Sequence, residues 1–298
     1  EETAASAVYF AITPATKPLR VWVSSYAAAA SVEIRALFKS VPFLLLQLLW
    51  IVLAATEIYS DVFHGEYDSV FYPTTGLILS TLRQPIALVS MILLIYYSAE
   101  IFWREHQYRM SPVINATPVP SSVLIAAKWS SLAVLIFSVV VSGIVPGIFF
   151  QIIKGYAHFE PFVYLSLFYF SGLQLILLGA AASFIHMLSP NKYLGMIMML
   201  AFMIFCQRGQ SFGFDHHLLR FATAPPVQYS DMNGFGHAAG FHWYMLYWSI
   251  AAGILILIAS RIWRAAGATW RERLRLLRRS NEQGNRIVVV LACAFVAA

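Results

Sequence analysis

Charge is what this sequence has least of. Asp, Glu, Lys and Arg together make up 11% of its 298 residues, against roughly 25% in an average soluble domain. So few charges cannot cover the surface of a water-soluble enzyme of this size. A hydrophobic content of 59% excludes intrinsic disorder as well. Cysteine is almost missing: Cys206 and Cys293 both sit in apolar runs, which points to reduced thiols and not to a disulfide. No Gly-Lys dipeptide occurs, so there is no phosphate-cradling Walker loop, and no His is followed by Glu, so there is no H-E-x-x-H zinc site. The run from Gly234 to Gly240 nearly imitates a dinucleotide fingerprint, but its last spacing is one residue too long and no strand precedes it. An intramembrane enzyme would need paired ionisable groups near the middle of apolar segments. Glu57, Arg83, Glu100 and Lys128 all fall near segment ends instead. No catalytic residue, metal ligand or resident cofactor is therefore expected, and the lack of a ring of charges argues against a hydrophilic ion pore.

Long apolar runs are what the sequence does have. A bilayer-spanning helix needs about 20 mostly apolar residues, and several stretches meet or approach that. The spacing predicts an all-α polytopic transmembrane bundle of six spans, near 41–58, 86–103, 124–150, 162–188, 193–206 and 243–262. The fifth is short and is expected to bend or to continue into 207–214. A further apolar run, 287–298, is too short to cross, so the chain is expected to be a segment of a longer protein. Four regions result: an N-terminal segment 1–40, a six-span body 41–263, a basic juxtamembrane segment 264–286, and the start of a seventh span 287–298. No signal peptide is apparent, because the first long apolar run starts near Val41.

Orientation follows from the basic residues. With the N-terminus in the cytoplasm, all but four of the 20 Lys and Arg residues lie on the inner side; the exceptions are Arg83, Lys154, Arg208 and Arg220. The expected arrangement is a multi-pass membrane protein with its N-terminus in the cytoplasm. Two amphipathic pieces are expected to lie along the inner surface. In 31–41, Ile34, Leu37, Phe38 and Val41 share one side, with Glu33, Lys39 and Ser40 on the other. In 269–280, Trp270, Leu274 and Leu277 form a stripe among arginines. Beside a membrane span such basic helices favour lipid as a partner over nucleic acid. His216, His217, His237 and His242 gather in or near the predicted outer loop; solvated loop histidines are the simpler reading and a metal site the alternative. Gly143 and Gly147 fit either a small-xxx-small helix contact or a span end bent by Pro146. Trp103, Trp129, Trp243 and Trp263 sit at span ends, as interfacial anchors do.

The most informative stretch lies between the second and third spans. It runs from Ala99 through Glu100, Trp103, Arg104, Glu105, Arg109, Met110, Ile114, Thr117, Pro118 and Pro120 to Lys128. Glu100 and Arg104 stand at i and i+4 in the favourable order for a helical ion pair. A short helix with Met110, Val113 and Ile114 on its apolar side is predicted, stopped by Pro118 and Pro120. Ser121 or Ser122 then caps the next helix, and Lys128 snorkels back to the interface. A short stiff element of this kind suits docking to a soluble partner.

This pattern resembles the ABC-2-type transporter permeases, whose second span leads into an E-R-E-like turn, a short coupling helix, a Pro-containing exit and a Lys early in the third span. Trp103-Arg104-Glu105, Ile114, Thr117-Pro118 and Lys128 match those places, and the helix at 31–41 matches the family's connecting helix. The likeness runs from about residue 31 to 263. A narrower one, carried by Tyr72-Pro73-Thr74-Thr75, the 103–128 loop, the segment from Tyr229 to Gly236 and that from Trp243 to Trp248, is to permease halves fused to an extracytoplasmic zinc aminopeptidase domain. The resemblance implies a permease half of an ATP-driven exporter, located in a bacterial inner membrane. It implies a separate ABC ATPase subunit docked through Arg104, Glu105, Arg109, Met110, Ile114, Pro118, Pro120 and Lys128. It also implies a second permease half or a homodimer partner, and ATP only through the partner subunit. The alternative it leaves is a non-transporting anchor or regulator of the aminopeptidase.

Overall fold

The structure is a computed structural model and describes residues 18–63, 71–117, 119–156 and 158–263. Among them the regular elements are helices, with an irregular segment over 220–238 that holds one isolated bridge between Ser230 and Gly234. The helices are α1 (Pro18–Phe38), α2 (Val41–Phe63), α3 (Thr75–Gln107), α4 (Ser111–Asn115), α5 (Ser121–Ile153), α6 (Pro161–Leu167), α7 (Leu173–Leu188), α8 (Lys192–Arg208) and α9 (Ala239–Ile262). A π-turn over Phe168–Gly172 joins α6 to α7, so that Pro161–Leu188 forms one long rod.

Five of these rods are long and apolar enough to cross a membrane: α2, α3, α5, the α6–α7 rod and α9. The chain thus has the character of a multi-pass membrane protein. The fifth expected span, 193–206, is α8, a helix of 17 residues followed by a 3-10 turn over Gly209–Phe212. At ~1.5 Å per residue it is shorter than a ~30 Å hydrocarbon core requires. The basic stretch 269–280, the run 287–298 and Pro118 lie outside the described residues.

Local chemistry explains the boundaries. The Thr74 side chain accepts from the Leu77 N–H at 3.2 Å and starts α3, and Asn191 does the same for α8 through Leu194 N–H at 2.8 Å. The second span begins eleven residues before the expected Ile86, because Pro85 lies inside α3 and does not open it. Pro120, not a serine, occupies the N-cap of α5, and it makes no side-chain cap. Its extended backbone simply ends the preceding turn.

α5 is the central post, with α1, α2, α3, α7 and α9 all packed on it. Of the two readings open for Gly143 and Gly147, the structure shows close helix packing. A Cβ on Gly143 would sit 3.0 Å from the Trp50 ring, and one on Gly147 would sit 2.7 Å from Ile78 Cγ2. Pro146 lies within the helix and does not end it. Trp50 also donates its indole N–H to the Val139 carbonyl at 2.9 Å, which stitches α2 to the backbone of α5. On the opposite face of α2, Leu44, Leu45, Leu48, Leu49, Val52 and Leu53 are exposed, a face suited to hydrocarbon.

α1 departs from expectation. It is twice as long as the predicted 31–41 segment, and it lies along α5. Its buried stripe is Ala30, Glu33 and Leu37, while Phe38 and Val41 are exposed and Ile34 is half-buried. Glu33 therefore faces the protein and not solvent.

Candidate functional site

The charged end of α3 supplies the site. Glu100, Arg104 and Glu105 lie on its last two turns, Lys128 lies two turns into α5, and Glu33 comes from α1. These groups meet. Lys128 Nζ donates to Glu33 Oε1 at 3.1 Å, to the Ile101 carbonyl at 2.8 Å, and pairs with Glu105 Oε1 at 2.9 Å. Arg104 pairs with the other oxygen of Glu33. The Lys128 residue is only 1% exposed, and its ammonium also lies 5.3 Å from the Trp263 ring centroid and 5.9 Å from that of Phe102.

Two expectations are corrected here. Lys128 does not snorkel outward, because two carboxylates and a carbonyl satisfy all three of its N–H groups inside the protein. Arg104 does not pair with Glu100. It turns to Glu33, and Glu100 pairs with Lys192 at the start of α8 at 2.5 Å. The arrangement is a closed quartet of two acids and two bases, with no net charge. Such a cluster holds together only while complete, since loss of one member strands a buried charge.

Beyond the quartet the chain makes an elbow. Met110 N–H bonds to the Glu105 carbonyl at 2.8 Å, and Arg109 adopts φ 55°, a left-handed conformation uncommon outside glycine. Pro112 then opens the single turn of α4, and Thr117 closes it by donating to the Ile114 carbonyl at 2.6 Å. The tip is exposed: Tyr108 is 72% and Val113 59% accessible, with Met110 and Arg109 beside them. Ile114 is half-buried, and Pro120 is exposed at the exit. The predicted set thus divides in two. Arg104, Glu105 and Lys128 form an internal brace, whereas Arg109 and Met110, joined by Val113 from outside that set, form the outward face.

Sequence reasoning missed Glu33 as the hinge of this site and Tyr108 as part of its tip. The one available signal for Glu33 was its spacing, since Ala30, Glu33 and Leu37 stand at i, i+3 and i+7 of a helical stripe.

At the other end of the bundle, a groove of about 580 Å³ between α2 and α3 is lined by Glu57, Asp61, Thr81 and Gln84 among apolar neighbours. Thr81 donates to Asp61 Oδ2 at 2.6 Å. The histidines are dispersed: His242 bonds to Tyr169 at 2.8 Å, and His217 lies 3.4 Å from Thr223 and from Arg220. Burial, helped by the positive charge of Arg220 and by His216, holds the His217 pKa below its ordinary value. His186 is buried and bonds to Ser98 at 2.9 Å. Among the described residues no three His, Cys, Asp or Glu side chains converge as metal ligands would. Compared with protein-family models, curated proteins and solved structures, the chain matches none of them.

Proposed function

We propose that the chain is a permease subunit or half of an ATP-driven exporter, and that it receives force from a separate ATPase through the elbow at 104–120. The observation that carries this reading is the joining of an exposed tip to a buried brace. Tyr108, Arg109, Met110 and Val113 present apolar surface beside one cation, a composition suited to a protein groove with an acidic edge. Directly behind them, the quartet ties the end of α3 to α1 and α5. A push on the tip would reach three helices at once instead of bending a loose loop. In this reading the elbow lies in the cytoplasm of a bacterial cell, as the distribution of basic residues favours. The chain contributes no chemical step, and ATP acts on it only through the partner.

The test uses residues on the tip, whose exchange leaves the brace intact. Arg109→Glu with Met110→Asp is expected to abolish co-purification of an ABC-type ATPase while the chain still inserts and folds. Full association of that variant overturns the docking role. A Val113→Cys variant is expected to resist membrane-impermeant thiol reagents in intact cells and to react in inside-out vesicles; the opposite pattern overturns the orientation. Failure of the parent chain to bring down any ATPase would favour the alternative, a non-transporting anchor for an extracytoplasmic zinc aminopeptidase.

A further inference from the structure

The end of the bundle away from the elbow holds a second pair of cations, and among the described residues neither is paired with an acid. Arg83, two turns into α3, and Arg220, in the segment after α8, line one cavity of about 340 Å³, and no Asp or Glu among the described residues lines it. Arg220 is only 4% exposed. Its closest polar side-chain contact is His217 Nδ1 at 3.4 Å, and its Nε has no partner. Arg83 donates to the neutral carbonyl of Val227. The buried hydroxyl of Ser171, in the same wall, has no hydrogen-bond partner either. Two like charges share this space, and the buried one keeps an unused donor, which favours an anion between them.

The backbone around Arg220 is shaped to keep it there. A Cβ on Gly209 would lie 2.7 Å from Arg220 Cδ, so only glycine lets the arginine stem pass. Ala222 is buried and takes a left-handed φ of 57°, a conformation that side-chain-bearing residues hold only when their surroundings enforce it. Trp248 donates to the neighbouring Thr223 carbonyl at 3.2 Å and pins the same segment. On the facing wall, the π-turn Phe168–Gly172 carries Ser171, and such turns recur at functional sites in helices.

Polarity changes with depth. Arg83, Ala87 and Met91 stand at i, i+4 and i+8 on one face of α3, and all three line the cavity. Ser171 and Gln174 give way to Leu175 and Leu178 in the same direction along α7. The cationic part lies nearer the end of the bundle and the apolar part lies deeper.

We propose that this cavity binds a phosphate group, held by the guanidinium groups of Arg83 and Arg220 with Ser171 and Gln174 as neutral donors. Guanidinium forks match phosphate oxygens in geometry and charge. The apolar floor favours a phosphate borne on an acyl chain, as in a lipid headgroup, over free phosphate. The site requires no ATPase and stands whether or not the chain transports anything.

The test is thermal unfolding of the full chain in neutral detergent with three probes: dihexanoyl phosphatidic acid, inorganic phosphate, and dihexanoylglycerol as the phosphate-free control. Phosphatidic acid is expected to raise the midpoint by about 5 °C at saturation, and dihexanoylglycerol to leave it unchanged. A response to phosphatidic acid alone identifies a lipid headgroup, and an equal response to inorganic phosphate identifies the free ion. Arg83→Gln and Arg220→Gln are each expected to weaken binding by about tenfold or more, while Lys154→Gln, at the same end but outside the cavity, has no effect. Should Arg220→Gln fail to fold, Gln174→Glu serves in its place. The new carboxylate is expected to raise the ligand-free midpoint and remove the response. No response to either phosphate probe, or a full response in Arg220→Gln or Gln174→Glu, overturns the site.

Discussion

Two ends of one bundle bury cations in opposite ways. At the elbow, Lys128 and Arg104 are matched by Glu33 and Glu105, and the four charges cancel within the protein. At the far end, Arg83 and Arg220 share a cavity with glutamines and hydroxyls and, among the described residues, no carboxylate. The first arrangement is complete as it stands, so its work is mechanical: it fixes α1, α3 and α5 to one another. The second is incomplete, so its work is to receive something. Burial alone does not distinguish a brace from a binding site; the presence or absence of the counter-charge does.

The largest way to break the comparison is at the brace. Glu33→Gln removes the only acid that Arg104 and Lys128 share, and about 3–5 kcal/mol of stability should go with it. Thermal unfolding in detergent measures this, and a loss below about 1 kcal/mol would show that the quartet is not closed. The same measurement on ligand-free Arg220→Gln should show no loss of that size, since no ion pair is broken there. Next comes the packing that holds the two ends in register. Gly147→Leu drives a side chain into Ile78 and Ile58 and should destabilise by about 2 kcal/mol; a neutral outcome would mean that α2, α3 and α5 separate easily. Trp50→Phe, which removes the indole bond to the Val139 carbonyl, should lose about 1 kcal/mol.

The smallest effect is one of pH. The pKa of His217 is lowered in the folded state, chiefly by desolvation and then by Arg220 and His216. The unfolded chain then binds the proton first as pH falls below ~6.5. Stability should be level above that value and decline below it, and His217→Gln should flatten the decline. An unchanged slope would place His217 in open solvent, away from the Arg220 cavity.

Much of the fold was legible from composition and period. Runs of about 20 apolar residues permit little besides spanning helices, and α2, α5 and α9 follow them closely. The short helix α4 was legible too, from the spacing of Met110, Val113 and Ile114 and from the prolines that follow it. α3 was misjudged at its start, since a proline in the first third of a long helix reads as a boundary when the neighbouring helices that tolerate it are unseen. Both candidate sites were less legible. Glu33 and Lys128 are 95 residues apart in sequence, and Arg83 and Val227 are 144 apart; no local pattern encodes such meetings. The local rule that suggested Glu100 with Arg104 lost to two longer-range partners that were better placed, Lys192 and Glu33.

From the sequence alone came the class of the molecule, the approximate places of its helices, and a stiff turn between the second and third apolar runs. All three rest on properties that neighbouring residues express without help: apolar length, helical period and the restrictions of proline. Which charges would cancel and which would be left over was decided only by the tertiary structure. Helix packing determines which face of each rod is turned inward, and an ion buried on that face must find its partner on another rod.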